Sequence, residues 1–144
     1  MRKIFLALTA TFIALPVLAA PGGNERQQAF KKMLLEYEPM GIVVRGDNPY
    51  DKDVFIRNAD AFKRLAKQPF TLFPPGSIDA VSRAKPGIWS QPALFAIKRD
   101  NFLNAVEALD TAAHAGDLTL ITQRYLLVEQ SCKACHEIFR GPKR

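Results

Sequence analysis

Near the C-terminus of the 144-residue chain stands Cys132-Lys133-Ala134-Cys135-His136, and these are its only two cysteines. Two thiols three positions apart, with an imidazole beside the second, could support several chemistries. They could close a disulfide, exchange thiols with a partner, contribute to a zinc site, or attach a tetrapyrrole through two thioethers while the imidazole ligates its metal. A structural zinc needs four N or S ligands, and the only other histidine, His114, reads as a solvated residue near a helix end. A thioredoxin-like pair belongs at a helix start after a strand, whereas this motif closes a helical pattern. A disulfide remains an alternative in an oxidising compartment. Cys-x-x-Cys-His is also the signature of c-type heme attachment, and that reading uses all three side chains.

The elements that must carry the motif are helical. The last segment, from about Asp117 to Arg140, has an apolar seam at Leu118, Ile121, Tyr125, Val128, Cys132, Cys135 and Phe139. Its steps of three and four are those of a helix packed in a bundle, with Gly141-Pro142 as the stop. Both sulfurs therefore face inward, and His136 can project beside them. A first helix is expected from Asn24, with Asn24 and Gln27 at capping-box spacing. Phe30, Met33, Tyr37, Met40 and Val44 line one face, and Pro39 predicts a kink. A second runs from about Asp51 to Lys67 with Val54, Asn58, Ala61 and Leu65 inward. A third has Ser90 as N-cap and Pro92 in its first turn, then Phe95, Phe102, Val106 and Leu109 before Gly116. Between them lies a long proline-bearing connection, Gln68 to Trp89; a loop of that length wraps something or carries a function. The expected fold is all-α, an antiparallel four-helix bundle with covalent heme.

Arg2 and Lys3 precede an apolar run from Ile4 to Ala19 that ends in small residues, the pattern of a secretory signal peptide over residues 1–20. The domain is then 21–144, exported to the periplasm, and no later stretch is long and apolar enough to span a bilayer. The net charge is +6; without Arg2 and Lys3, 18 basic residues face 14 acidic ones, or +4. The basic residues are spread along the chain, which gives nucleic-acid binding no footing.

With these residues in view, the chain resembles cytochrome c′, the exported four-helix-bundle heme proteins of bacteria. The resemblance covers nearly all of 21–144: Arg26-Gln27, Gly46 with Pro49-Tyr50-Asp51, Phe73 with Pro75-Gly76, Ile88-Trp89, Gly116-Asp117, and the final motif with Phe139-Arg140. It implies that Cys132 and Cys135 carry heme c, one per chain, and that His136 is the proximal iron ligand. Arg26 and Gln27 match contacts to heme propionates, Phe30 the cover of the open iron face, and Arg140 a neighbour of the proximal histidine. The connection departs from the family spacing, with extra residues around Ile78 to Arg83; Phe70 is expected near the ring.

The function implied is a five-coordinate, high-spin heme protein that binds nitric oxide and carbon monoxide and can exchange electrons with a protein partner. A homodimer through the first two helices is the family expectation. Two rivals stand beside it: a low-spin electron carrier with Met33 as sixth ligand, and a heme-free thiol–disulfide protein. No nucleophile–base pair or paired carboxylates mark an enzyme.

Overall fold

The computed structural model of the chain describes residues 22–142; the signal peptide expected over 1–20 lies outside them. The elements are α1 (Gly23–Val44), α2 (Lys52–Ala66), a 3-10 segment (Gln68–Leu72), the single turn α3 (Gly87–Ser90), α4 (Pro92–Ala115) and α5 (Leu118–Phe139). The four long helices close a ring, α1 on α2, α2 on α4, α4 on α5 and α5 on α1. This is the all-α, antiparallel four-helix bundle that the periodicity predicts.

The helix ends follow local chemistry. Asp51 caps α2 by accepting the Val54 N–H at 3.0 Å, and Asp117 caps α5 by accepting those of Thr119 and Leu120. Gly116 closes α4 with φ 79°, a left-handed turn that a Cβ would strain. α1 starts earlier than an Asn24–Gln27 box predicts. Its N-cap is Gly22, whose N–H donates to Glu25 Oε2 at 2.9 Å, because a carboxylate is the stronger acceptor for an orphan N–H. Ser90 ends α3 rather than capping α4; Gln91 precedes Pro92, which fills the first helical position. α1 continues through Pro39 to Val44. The Leu35 carbonyl that loses its donor belongs to an exposed turn, where water can replace it.

One face differs from the sequence expectation. α2 buries Phe55, Ala59, Phe62 and Ala66, while Val54 is exposed. The helix is turned by one residue, since two phenyl rings bury more apolar area than Val54 and Leu65 could. Leu118 also faces outward. Elsewhere the predicted stripes hold: Met33, Tyr37, Met40, Phe102, Val106, Leu109, Ile121, Tyr125 and Val128 form the core. Toward the α1–α2 and α4–α5 turns this core is tight. Tyr37 stacks on Tyr125 at 4.3 Å between centroids and donates its hydroxyl to the Tyr125 carbonyl at 3.1 Å. At the opposite end the helices leave a cavity.

Candidate heme site

The cavity lies where α1 begins and α5 ends, closed by the start of α4 and the long connection. Its volume is about 340 Å³, within the range of small-molecule and cofactor sites. Cys132, Cys135, His136, Phe30, Arg26, Gln27 and Arg140 all line it. The fold thus brings the seven residues that the resemblance assigns to heme to one place. Phe70 stands there as expected, edge-on to Phe30 with centroids 6.0 Å apart.

Both cysteines are free thiols and half-buried. Burial, then the adjacent Cys135, pushes the Cys132 thiol up to about 11, and burial raises Cys135 as well. Such sulfurs are protonated at neutral pH, a poor starting point for thiol exchange. His136 shifts the other way. Burial, then the Arg140 and Arg83 charges, brings it to about 4, so its imidazole is neutral and keeps a lone pair for a metal. The Phe30 ring meets the His136 ring edge-on, 6.4 Å between centroids and inclined at 66°.

The rim is cationic and strongly tied. Arg26, in the first turn of α1, is buried. Its Nη1 donates to the Leu72 carbonyl and Ser77 Oγ at 3.0 Å each; its Nη2 donates to the Ser77 carbonyl at 2.8 Å and Ser82 Oγ at 3.0 Å. Asp79 lies 3.9 Å away, and the guanidinium covers the Phe73 ring at 5.1 Å. The family resemblance implies a propionate contact for Arg26; the fold makes it the hub of the loop. Gln27 is exposed and donates to the Val81 carbonyl at 3.2 Å. Asp79 accepts the N–H groups of Gly23 and Ser82. Residue 23 must be small here, because a Cβ would sit 2.8 Å from Asp79 Oδ1 and 2.9 Å from Ser82 N.

The same loop holds the end of α5. Arg83 donates from Nε and Nη2 to the Gly141 carbonyl at 2.9 and 2.6 Å. Ala84 pairs with Arg140 as an antiparallel bridge, and the Lys85 N–H donates to the Phe139 carbonyl at 2.9 Å. Ser77, Asp79, Ser82 and Arg83 are the residues that sequence reading missed. Their only signal was the excess length around Ile78 to Arg83, because their partners lie some fifty residues away in the chain. His114 is at the other end of the bundle, exposed yet bonded to Asp60 rather than merely solvated.

Two protonated thiols, a neutral imidazole, aromatic walls and a cationic rim around one cavity suit a porphyrin. They define a class: helical-bundle proteins with a place for a covalently held tetrapyrrole. A family model described as Cytochrome C′ matches residues 23–140. Cytochrome c′ of Alcaligenes xylosoxydans xylosoxydans is 36% identical over 118 residues, 82% of this chain and 91% of that protein. The nitric oxide complex of a mutant cytochrome c prime from Alcaligenes xylosoxidans superposes with a TM-score of 0.80 at 36% identity, covering 83% of this chain and 93% of that one. A carbon monoxide-bound variant from the same source gives 0.79 at 35%, with 83% and 93% covered. The chain belongs to the cytochrome c′ family, and its cofactor is covalently bound heme c.

Proposed function

We propose that this is an exported heme protein in which His136 is the sole protein ligand to iron and nitric oxide or carbon monoxide enters on the face that Phe30 covers. The observation that carries the reading is the edge-on approach of the Phe30 ring to His136 inside one cavity. When bound, the heme supplies an iron centre that takes a small gas and can change by one electron. Cys132 and Cys135 would hold the macrocycle, through thioethers formed by addition of each S–H across a vinyl group. Phe30 has no donor atom, so it neither ligates iron nor offers a hydrogen bond. Dioxygen and anions depend on such support more than carbon monoxide or nitric oxide do. Burial, then the Arg140 and Arg83 charges, discourages protonation of His136 and keeps its lone pair available. Arg26 and Gln27 bring positive charge and an amide donor to the rim, where propionates would lie.

The gas-bound relatives described above support the choice of ligand. The basic, apolar start of the sequence supports periplasmic export, and no described helix is long and apolar enough to cross a membrane. Leu34, Leu35 and Val54, exposed on α1 and α2, suit a homodimer through those helices. Electron exchange with a partner protein is a secondary role.

Met33 also lines the cavity, which keeps the six-coordinate carrier as the second reading. Absorption spectra of the ferric and ferrous protein decide between them. The expected result is a five-coordinate, high-spin spectrum, unchanged in Met33→Leu. A low-spin six-coordinate spectrum in both oxidation states, lost on that substitution, would instead establish the carrier.

A further inference from the structure

Far from the heme cavity, three potential ligands converge between α2 and α4. Asp110 and His114 are four residues apart on α4 and so share a face, opposite Asp60 of α2. One oxygen from each carboxylate and one His114 ring nitrogen lie within 4.8 Å of one another. His114 Nε2 is 3.0 Å from Asp60 Oδ1 and 4.0 Å from Asp110 Oδ1. Asp110 is only 7% exposed, and its Oδ1 has no hydrogen-bond partner. Its other oxygen is held by Lys63 Nζ at 2.8 Å, and Lys63 also reaches Glu107 Oε1 at 2.7 Å. Lys63 thereby fixes the carboxylate while Oδ1 stays turned toward His114 and Asp60. A buried oxygen without a donor is costly, and neither His114 Nε2, 4.0 Å away, nor Lys63, which holds the other oxygen, relieves it. A cation can.

We propose that Asp60, Asp110 and His114 bind one divalent first-row transition ion of the zinc type, through one oxygen of each carboxylate and His114 Nε2. Imidazole with carboxylates suits such ions better than calcium or magnesium. Bonds of ~2.0–2.1 Å in a tetrahedron place ligand atoms about 3.3 Å apart, so from a spread within 4.8 Å the cluster closes by about 1.5 Å at most. Asp60 and His114 are the accessible members and make that movement. His114 then gives up its bond to Asp60 and carries its proton on Nδ1, while water completes the coordination. Lys63 serves as the outer group that orients Asp110. The ion joins α2 to α4 about 12–18 Å along α4 from Phe102 on the cavity wall, so its binding is independent of the heme.

The test is calorimetric titration of the heme-loaded protein with zinc, alongside His114→Gln and Asp60→Asn, whose folding is checked by circular dichroism. Thiols are alkylated first in any preparation without heme, so that Cys132 and Cys135 cannot capture the ion. The expected result is one zinc per chain, an upward shift in Tm and an unchanged heme spectrum, with affinity about tenfold or more weaker in each variant. Equal affinity in wild type and His114→Gln, or no uptake by wild type at about 1 mM zinc, would overturn the proposal.

Discussion

In the proposed site the phenyl ring facing the imidazole would control access by bulk alone, and this gives Phe30 a direct test. Phe30→Ala should raise the association rate of carbon monoxide, by tenfold for every ~1.4 kcal/mol of steric barrier removed, as read by flash photolysis. Phe30→His should convert the spectrum to six-coordinate low-spin, because a second imidazole would then oppose His136. An unchanged carbon monoxide rate in Phe30→Ala would mean that another side chain covers the iron. At this scale the sequence is eloquent where chemistry is local: Cys132, Cys135 and His136 are legible from five adjacent letters. Arg26 is legible as a cation at the start of α1, but its buried bonds to Leu72, Ser77 and Ser82 arise from the folded loop. No pattern near Arg26 announces them.

Among the elements, the connection between α2 and α4 does the most to shape the site. Its residues 78–83 tie the start of α1 to the end of α5, the two segments that carry Phe30 and His136. Gly23→Ala should loosen this junction, since its Cβ would press on Asp79 and the Ser82 backbone; faster hydrogen exchange in residues 78–83 would report it. Acid should act at the same place. The N–H of Gly23, then that of Ser82, and the Arg26 charge hold the Asp79 carboxyl below its ordinary range. A group with a lowered folded-state pKa stabilises fully above its unfolded value, about 3.9 for Asp, and that contribution disappears as pH falls through the folded value. Stability should therefore decline below about pH 4, and Asp79→Asn should be less stable at neutral pH with a shallower acid decline. Urea titrations across that range check both. Helix existence was readable from periodicity, and α4 and α5 nearly to the residue. The phase of α2 was not, because Val54 and Phe55 offer competing stripes and only packing volume decides between them.

For the whole molecule, one end is solid and the other hollow. Leu109 is fully buried among α4's neighbours, so Leu109→Ala should cost about 2–5 kcal/mol, measured by denaturant unfolding, while the heme spectrum stays as it was. The bundle could be anticipated from four amphipathic stretches and short first and last turns. The position of the cavity followed once the seam of α5 put Cys132 and Cys135 inward. The Asp60–Asp110–His114 cluster could not be foreseen, because it depends on the rotation of α2 that the sequence leaves ambiguous.

The central claim is that Cys132 and Cys135 both carry the macrocycle ligated by His136. Intact-mass spectrometry of the mature protein, purified from a host with heme-attachment machinery, tests it most directly. The mass should exceed that of the polypeptide by one heme and persist under denaturation, with no thiol left to alkylate. A polypeptide mass alone, with two alkylatable cysteines, would contradict it.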